Sequence, residues 1–189
     1  MDTIVAKITN DSLTDKKIYE QAGKILREGG LVAFPTETVY GLGADALDEE
    51  ASAKIYAAKG RPSDNPLIVH IADIEALYKL SCEVPDKALK LADKFWPGPL
   101  TMILKKSDIV PDSITGGLGT VAIRMPSHKV AAELIRTSGV YIAAPSANTS
   151  GKPSPTRASH VIKDLSGKID MIIEDDTVDI GVESTIIDL

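Results

Sequence analysis

The stretch TDKKIYEQAGKILREGGLVAF, residues 14–34, carries the pattern that decides the fold. Its apolar side chains recur at the three- and four-residue spacing of one helical face: Ile18, Ala22, Ile25 and Leu26. Gly29 and Gly30 then form a helix stop signal. The short apolar run 31–34 is typical of a buried strand. A helix followed closely by a buried strand is the repeating unit of an α/β protein.

The same alternation continues along the chain, whose 189 residues predict one domain over 1–189, or one and a small appendage, at about 150 residues per domain. Predicted strands cover 3–8, 31–34, 67–71, 100–104, 120–125, 140–144, 171–174 and 184–188. Predicted helices cover 14–28, 48–58, 73–80, 86–95, 128–138 and 156–165, with Asp48 and Asp73 as caps. Hairpin-length gaps between some strands argue against a simple doubly wound sheet. We therefore predict an α/β fold with a mixed sheet and packed helices.

Composition and charge argue against several classes of function. The net charge of −6 argues against a protein whose main role is binding nucleic acid through phosphates, although it leaves room for a local basic pocket. Cys82 is the only cysteine, so the chain can form no internal disulfide or cysteine-based zinc site. The polar N-terminus and the lack of long apolar runs predict neither signal peptide nor membrane span. These features fit a cytoplasmic protein.

Four segments join a strand end to proline, glycine, hydroxyl and charged residues: 34–46, 59–71, 120–128 and 144–156. Loops at strand ends are where α/β proteins place ligands. In the second segment, Lys59 and Arg61 either bind an anion or cap the end of the preceding helix. The last segment holds hydroxyls and amides that suit phosphate, ribose or base, or a polar turn: Ser146, Asn148, Thr149, Ser150 and Ser154.

Two polar residues interrupt apolar strand patterns. Arg124 stands inside V-A-I-R-M, and a buried cation needs a partner or a cavity. It is either half of a structural ion pair or a carboxylate-binding residue. His70 lies between Val69 and Ile71. A lone histidine on a strand is more often a satisfied core residue than a ligand, so both roles remain open.

Seven motifs follow one another from about Leu31 onward. They are F-P-T-E-T-V-Y-G-L (34–42), the K-x-R of Lys59 and Arg61, N-P-L with His70 after it, F-W-P-G-P-L-T (95–101), A-I-R-M-P (122–126), A-P-S-A-N-x-S-G (144–151) and V-E-S-T (182–185). In this order they resemble the YrdC-like family, the threonylcarbamoyl-adenylate synthases of tRNA modification. The resemblance implies a twisted mixed sheet around a large, concave, positively charged cavity.

The resemblance also implies a reaction and its partners. L-threonine, bicarbonate or CO2, and ATP with Mg²⁺ would give threonylcarbamoyl-AMP and pyrophosphate. Other proteins would then transfer the threonylcarbamoyl group to tRNA. By position, the L-threonine pocket would hold Thr36, His70, Arg124, Ala144 and Ser184. The ATP side would hold Lys59, Arg61, Ser63, Thr120, Ser146, Asn148 and Ser154, with Lys59 and Arg61 offsetting phosphate charge. We assign no metal ligands to the chain.

Two other hypotheses fit parts of the sequence. An RNA-binding module could hold tRNA or double-stranded RNA in a basic cavity, although the net charge and scarce aromatics speak against it. A related carbamoyl-adenylate step in hydrogenase maturation normally needs a cysteine-rich zinc segment, which a single cysteine cannot supply. Many members of the resembled family continue past the E-S-T strand into an R-P-G segment and a second domain. Because this chain stops four residues after Thr185, we expect a truncated or shortened member.

Overall fold

The computed structural model describes residues 2–9, 11–60, 62–175 and 178–189. Helices are α1 (Ser12–Arg27), α2 (Glu49–Lys59), α3 (Glu75–Leu80), α4 (Asp86–Phe95), α5 (Asp112–Thr115), α6 (Lys129–Ser138) and α7 (Ala158–Leu165). Strands are β1 (Ile4–Lys7), β2 (Val32–Phe34), β3 (Gly41–Asp45), β4 (Ile68–His70), β5 (Leu100–Lys105), β6 (Thr120–Arg124), β7 (Ile142–Ala143), β8 (Met171–Glu174) and β9 (Thr185–Asp188). The alternation confirms the predicted α/β class.

The strands of the described residues form one sheet in the order β1-β8-β2-β3-β7-β4-β6-β5-β9. The pairs β1–β8, β8–β2, β4–β6 and β5–β9 are parallel. The pairs β2–β3, β3–β7, β7–β4 and β6–β5 are antiparallel. The predicted mixed sheet is therefore confirmed, and β1 and β9 are its edge strands.

Alternating side chains bury the sheet on two faces, as the period of two in a strand requires. Val32 and Phe34 pack into a cluster with residues of α1 and α6, whereas Ala33 between them faces the larger core on the opposite side. Ile172 of β8 also faces that larger core, in which Ile55 of α2 is buried. The sheet thus lies between helical layers.

Helix ends follow the polar signals of the sequence. Asp48 accepts hydrogen bonds from the N–H groups of Glu50 and Ala51 at 2.9 and 3.1 Å, so its predicted capping role is confirmed. Asp73 accepts one from Ala76 N at 2.9 Å. None of the helices within the described ranges is long and apolar enough to cross a membrane.

One strand and one short helix differ from the sequence prediction. Residues 41–45, G-L-G-A-D, form the central strand β3. A Cβ on Gly43 would lie 2.6 Å from Ile142 Cγ2 and 2.8 Å from Phe34 Cε1, so only glycine fits between these neighbours. The strand exists because β2 and β7 pair with it, which local propensity does not reveal. The four-residue helix α5 is also absent from the prediction.

Candidate active site

A cavity of about 400 Å³ lies against the half of the sheet that runs from β3 to β9. Ile68 and His70 of β4 and Ala122 and Arg124 of β6 share the strand face that lines it. Its volume falls in the range of small-molecule pockets, roughly 300–1,000 Å³.

The predicted residues divide into two sets. All five positions predicted for the amino-acid pocket line the cavity: Thr36, His70, Arg124, Ala144 and Ser184. Of the positions predicted for the nucleotide side, Ser146 lines it as well. The fold therefore brings these six together from β4, β6 and the segments beside β2, β7 and β9.

Arg124 is a buried cation with fixed partners. Its Nη2 lies 2.8 Å from Glu37 Oε1, and the two side chains are only 5% and 4% exposed. Its Nη1 donates to Thr38 Oγ1 at 3.0 Å, and Nε approaches Gly98 O at 3.4 Å. Burial alone would raise the pKa of Glu37, but the Arg124 charge and hydrogen bonds hold it below its ordinary value. Arg124 therefore forms the ion pair that was one of its two predicted roles, and it also borders the cavity, while carboxylate binding stays a prediction.

His70 stands beside Arg124 in the register of β4 and β6. Its Nδ1 lies 3.1 Å from Ile68 O, and the ring of Phe34 meets it edge to face at 6.2 Å. Burial, and then the neighbouring Arg124 charge, lower the pKa of His70 to about 4. The imidazole is therefore neutral at physiological pH and adds no charge to the cavity.

Hydroxyl groups complete this end of the cavity. Thr36 Oγ1 donates a hydrogen bond to Val39 O at 2.7 Å. It also accepts hydrogen bonds from the N–H groups of Thr38 and Val39, both at 3.2 Å. This local network fixes the turn after β2. Ser184, just before β9, lies 2.7 Å from Thr101 Oγ1 through its own Oγ.

Lys59 reaches across the fold from the end of a helix. It is the last residue of α2 and only 2% exposed. Its Nζ donates across the fold to the carbonyl of Ser146, and to that of Asn148 at 2.6 Å. Ser146 Oγ in turn donates to Asn148 Oδ1 at 2.6 Å. The lysine thus ties α2 to the hydroxyl-rich loop that follows β7.

Of the other predicted nucleotide residues that the structure describes, Ser63, Thr120 and Ser154 lie outside the lining of the cavity. Ser63 borders a separate surface depression, and Thr120 begins β6 opposite Lys105. Ser154 Oγ donates to Glu183 Oε1 at 2.5 Å, and Glu183 itself lines the cavity. Arg61 lies outside the described residues.

Sequence reasoning missed several polar residues of this site: Glu37, Thr38, Thr101 and Glu183. Each stands inside a quoted motif, and Glu37, Thr38 and Glu183 lie within two positions of a residue with an assigned role, whereas Thr101 does not. The signal for Glu37 was the need of Arg124 for a partner.

Two carboxylates of the site already have partners. Glu37 forms an ion pair with Arg124, and Glu183 accepts a hydrogen bond from Ser154. Within the described ranges, no three His, Cys, Asp or Glu side chains stand close enough to hold a metal ion.

Comparisons with known proteins identify the family of the chain. The sequence model of the Sua5/YciO/YrdC family, described as "Telomere recombination", matches residues 24–189. A threonylcarbamoyl-AMP synthase of Pyrococcus abyssi is 59% identical over 187 residues, which cover 99% of this chain and 54% of the relative. A threonylcarbamoyl-AMP synthase of Bacillus subtilis is 57% identical over 181 residues, which cover 95% and 52%.

The crystal structure of P. abyssi Sua5 complexed with L-threonine superposes with a TM-score of 0.94 at 56% identity. The match covers 100% of this chain and 54% of that one. The chain spans about half the length of these relatives. On the family match, the shared sequence and the shared fold, the chain belongs to the Sua5/YciO/YrdC family.

Proposed function

We propose that the chain carries the catalytic domain of an L-threonylcarbamoyladenylate synthase, a nucleotidyltransferase. It would convert L-threonine, bicarbonate or CO2, and ATP into threonylcarbamoyl-AMP and pyrophosphate. The observation that carries this proposal is the meeting of Thr36, His70, Arg124, Ala144 and Ser184 on one cavity. Relatives at 57–59% identity that are named threonylcarbamoyl-AMP synthase support it, as does a relative's structure complexed with L-threonine.

The amino-acid end of the cavity suits a carboxylate that is held by hydrogen bonds. Glu37 balances the charge of Arg124, and His70 is neutral, so these three side chains carry no net charge. A guanidinium has five N–H groups, of which Glu37, Thr38 and Gly98 face three. Among the described residues the two others face no acceptor, so they would be available to the carboxylate of threonine, and the Ser184 hydroxyl lies on the same cavity.

The chemistry needs positioning more than proton transfer. The neutral amine of threonine adds to CO2 and releases one proton to water, which gives an anionic carbamate. A carbamate oxygen then attacks the α-phosphorus of ATP without a dedicated general base. The bond between the α-phosphorus and the bridging oxygen breaks, and pyrophosphate leaves. In-line alignment and stabilisation of negative charge therefore dominate catalysis. A neutral His70 suits this scheme, because it can orient substrate without exchanging a proton.

Lys59, Arg61, Ser63, Thr120, Ser146, Asn148 and Ser154 are the proposed ATP side. Lys59 and Arg61 would offset phosphate charge, and Ser146 would offer a hydroxyl at the cavity wall. Mg²⁺ would arrive with ATP, on phosphate oxygens and water, and supply further charge neutralisation. Because Lys59 Nζ is bound to the carbonyls of Ser146 and Asn148, we expect the loop after β7 to move when Lys59 turns toward the phosphates.

The product would pass to other proteins that transfer the threonylcarbamoyl group to tRNA in the cytoplasm. Direct contact with tRNA or double-stranded RNA stays a prediction. If it occurs, its affinity should fall steeply with rising salt, because phosphate contacts release counterions.

The deciding experiment measures pyrophosphate release with L-threonine, bicarbonate, ATP and Mg²⁺. The assay should use both this chain and a version extended to the length of its relatives. Release that depends on threonine supports the proposal. Carbamoyl phosphate in place of threonine serves as the control for the related carbamoyl-adenylate reaction. No threonine-dependent pyrophosphate from the extended protein would overturn the proposal.

A further inference from the structure

Thr101 is a buried hydroxyl that the proposed mechanism does not use. It ends the motif F-W-P-G-P-L-T and lies on β5, opposite Arg124 of β6. Its side chain is 0% exposed and shares a strand face with Ile103, which lines the cavity. Thr101 therefore stands directly behind the cavity wall, between Arg124 and the segment that enters β9.

Ser184 is the hydrogen-bond partner of Thr101. The two oxygens, Thr101 Oγ1 and Ser184 Oγ, lie 2.7 Å apart, a normal distance between hydroxyl groups. Among the described residues, Thr101 Oγ1 has no other hydrogen-bond partner. Ser184 differs, because it is partly exposed and borders the cavity.

This asymmetry fixes the direction of the hydrogen bond. If Ser184 donated to Thr101, the proton of the fully buried Thr101 hydroxyl would have no acceptor, and an orphaned buried donor is costly. If Thr101 donates instead, its proton is satisfied and the Ser184 proton remains for a ligand in the cavity. The second arrangement leaves no buried donor without a partner.

We infer that Thr101 is a positioning residue that makes the Ser184 hydroxyl a hydrogen-bond donor toward an anionic group of the amino-acid substrate. The inference rests on the proposed function. Arg124 and Ser184 then present N–H and O–H donors to the same end of the cavity, which suits a carboxylate and disfavours a cation there.

The test compares KM values in threonine-dependent pyrophosphate release. Thr101→Val keeps the shape and removes the hydroxyl, so we expect the KM for L-threonine to rise about fivefold to tenfold, as loss of an oriented hydrogen bond to a charged group predicts. The KM for ATP should stay within about twofold, because the nucleotide does not use this hydroxyl. Thr101→Ser, which restores the hydroxyl, should return the wild-type value.

A double-mutant cycle separates positioning from general damage. Ser184→Ala should raise the KM for L-threonine, and adding Thr101→Val to it should change nothing further, because Thr101 acts through Ser184. If Thr101→Val does not fold, Thr101→Cys replaces it, since a thiol has similar size and is only a weak donor. Calorimetric titration with L-threonine gives the same comparison without catalysis.

The outcomes are distinct. A wild-type protein without threonine-dependent activity or threonine binding contradicts the proposed function itself. An active wild type with an unchanged Thr101→Val variant overturns the inference about Thr101. Equal rises in both KM values, or additive effects in the double variant, also overturn it.

Discussion

At one end of the cavity Arg124 is held by Glu37 and Thr38, and Thr101 holds Ser184, with almost all of these side chains buried. On the proposed nucleotide side Ser154 donates to an exposed Glu183, and the ammonium of Lys59 donates to main-chain carbonyls. The first end has its donors in place before any ligand arrives. The second has its polar groups bound to one another.

This difference indicates how the two substrates would bind. A rigid, preorganised pocket costs little ordering entropy when its ligand enters. A nucleotide that recruits Lys59 instead competes for its N–H groups with the carbonyls of Ser146 and Asn148. We therefore expect threonine to bind without large rearrangement and ATP to bind with movement of the loop after β7.

The substitution with the largest expected effect on the amino-acid end of the cavity is Arg124→Met. It leaves the buried carboxylate of Glu37 without its cation, which should lower the free energy of unfolding by about 3–5 kcal/mol and abolish threonine-dependent pyrophosphate release. Adding Glu37→Gln should recover most of the stability but none of the activity. Urea denaturation and the pyrophosphate assay measure the two effects. An active double variant would show that Arg124 is only structural.

Lys59→Ala tests the other end. Two carbonyl groups lose a charged donor, so we expect a loss of about 2–3 kcal/mol in stability and a strong rise in the KM for ATP. The affinity for L-threonine should stay unchanged. Lys54→Ala is the matched control, because Lys54 lies on the same helix and binds a carbonyl, that of Gly29, away from the cavity. A threonine affinity that falls with Lys59 would contradict the independence of the two ends.

The pH dependence of stability tests the protonation state of His70. Its folded-state pKa of about 4 lies below the ordinary value of 6.5, so the unfolded chain binds this proton first as the pH falls. The stability present above pH 6.5 is then lost on acidification, by about 2 kcal/mol between pH 6.5 and 5. Glu37, with a lowered pKa, contributes a further loss only below its ordinary 4.5.

Urea denaturation at several pH values checks this expectation. His70→Gln should remove most of the loss in the free energy of unfolding between pH 6.5 and 5. His160→Gln, at an exposed histidine, should retain that loss. An unchanged pH dependence in His70→Gln would show that the histidine is not neutral in the folded protein.

The smallest expected effect belongs to Ser154→Ala. It removes the hydrogen bond to Glu183 at the exposed rim, so stability should fall by less than about 1 kcal/mol. If Ser154 binds the nucleotide, the KM for ATP should rise by more than this small loss of stability would explain. Ser150→Ala, at an exposed position of the same loop, is the control. If Ser154→Ala and Ser150→Ala change the KM for ATP equally, Ser154 does not bind the nucleotide.

Much of the fold could be predicted because its signals are local. The helix 86–95 matches α4 at both ends, and the strand 171–174 matches β8, since turn and helix-stop residues bound their apolar patterns. β3 could not be predicted, because G-L-G-A-D has little strand propensity and the neighbouring strands impose its conformation.

The site shows the same division between local and long-range information. The sequence indicated that Arg124 needs a partner or a cavity, yet Thr38, one of its partners, is 86 residues away. The position of Lys59 depends likewise on a loop 87 residues further along the chain. Residue types and motifs predicted which side chains matter, whereas the pairs they form depend on the packing of distant strands.

The hydroxyl pair of Thr101 and Ser184 also bears on the order of folding. It joins residues 83 positions apart, across the parallel contact of β5 with β9. Contacts of such long sequence separation form late, because the intervening chain must first close a large loop. A folding intermediate that lacks β9 has no complete amino-acid pocket and should not capture threonine. Threonine added during refolding should therefore leave the early steps unchanged and stabilise only the finished sheet.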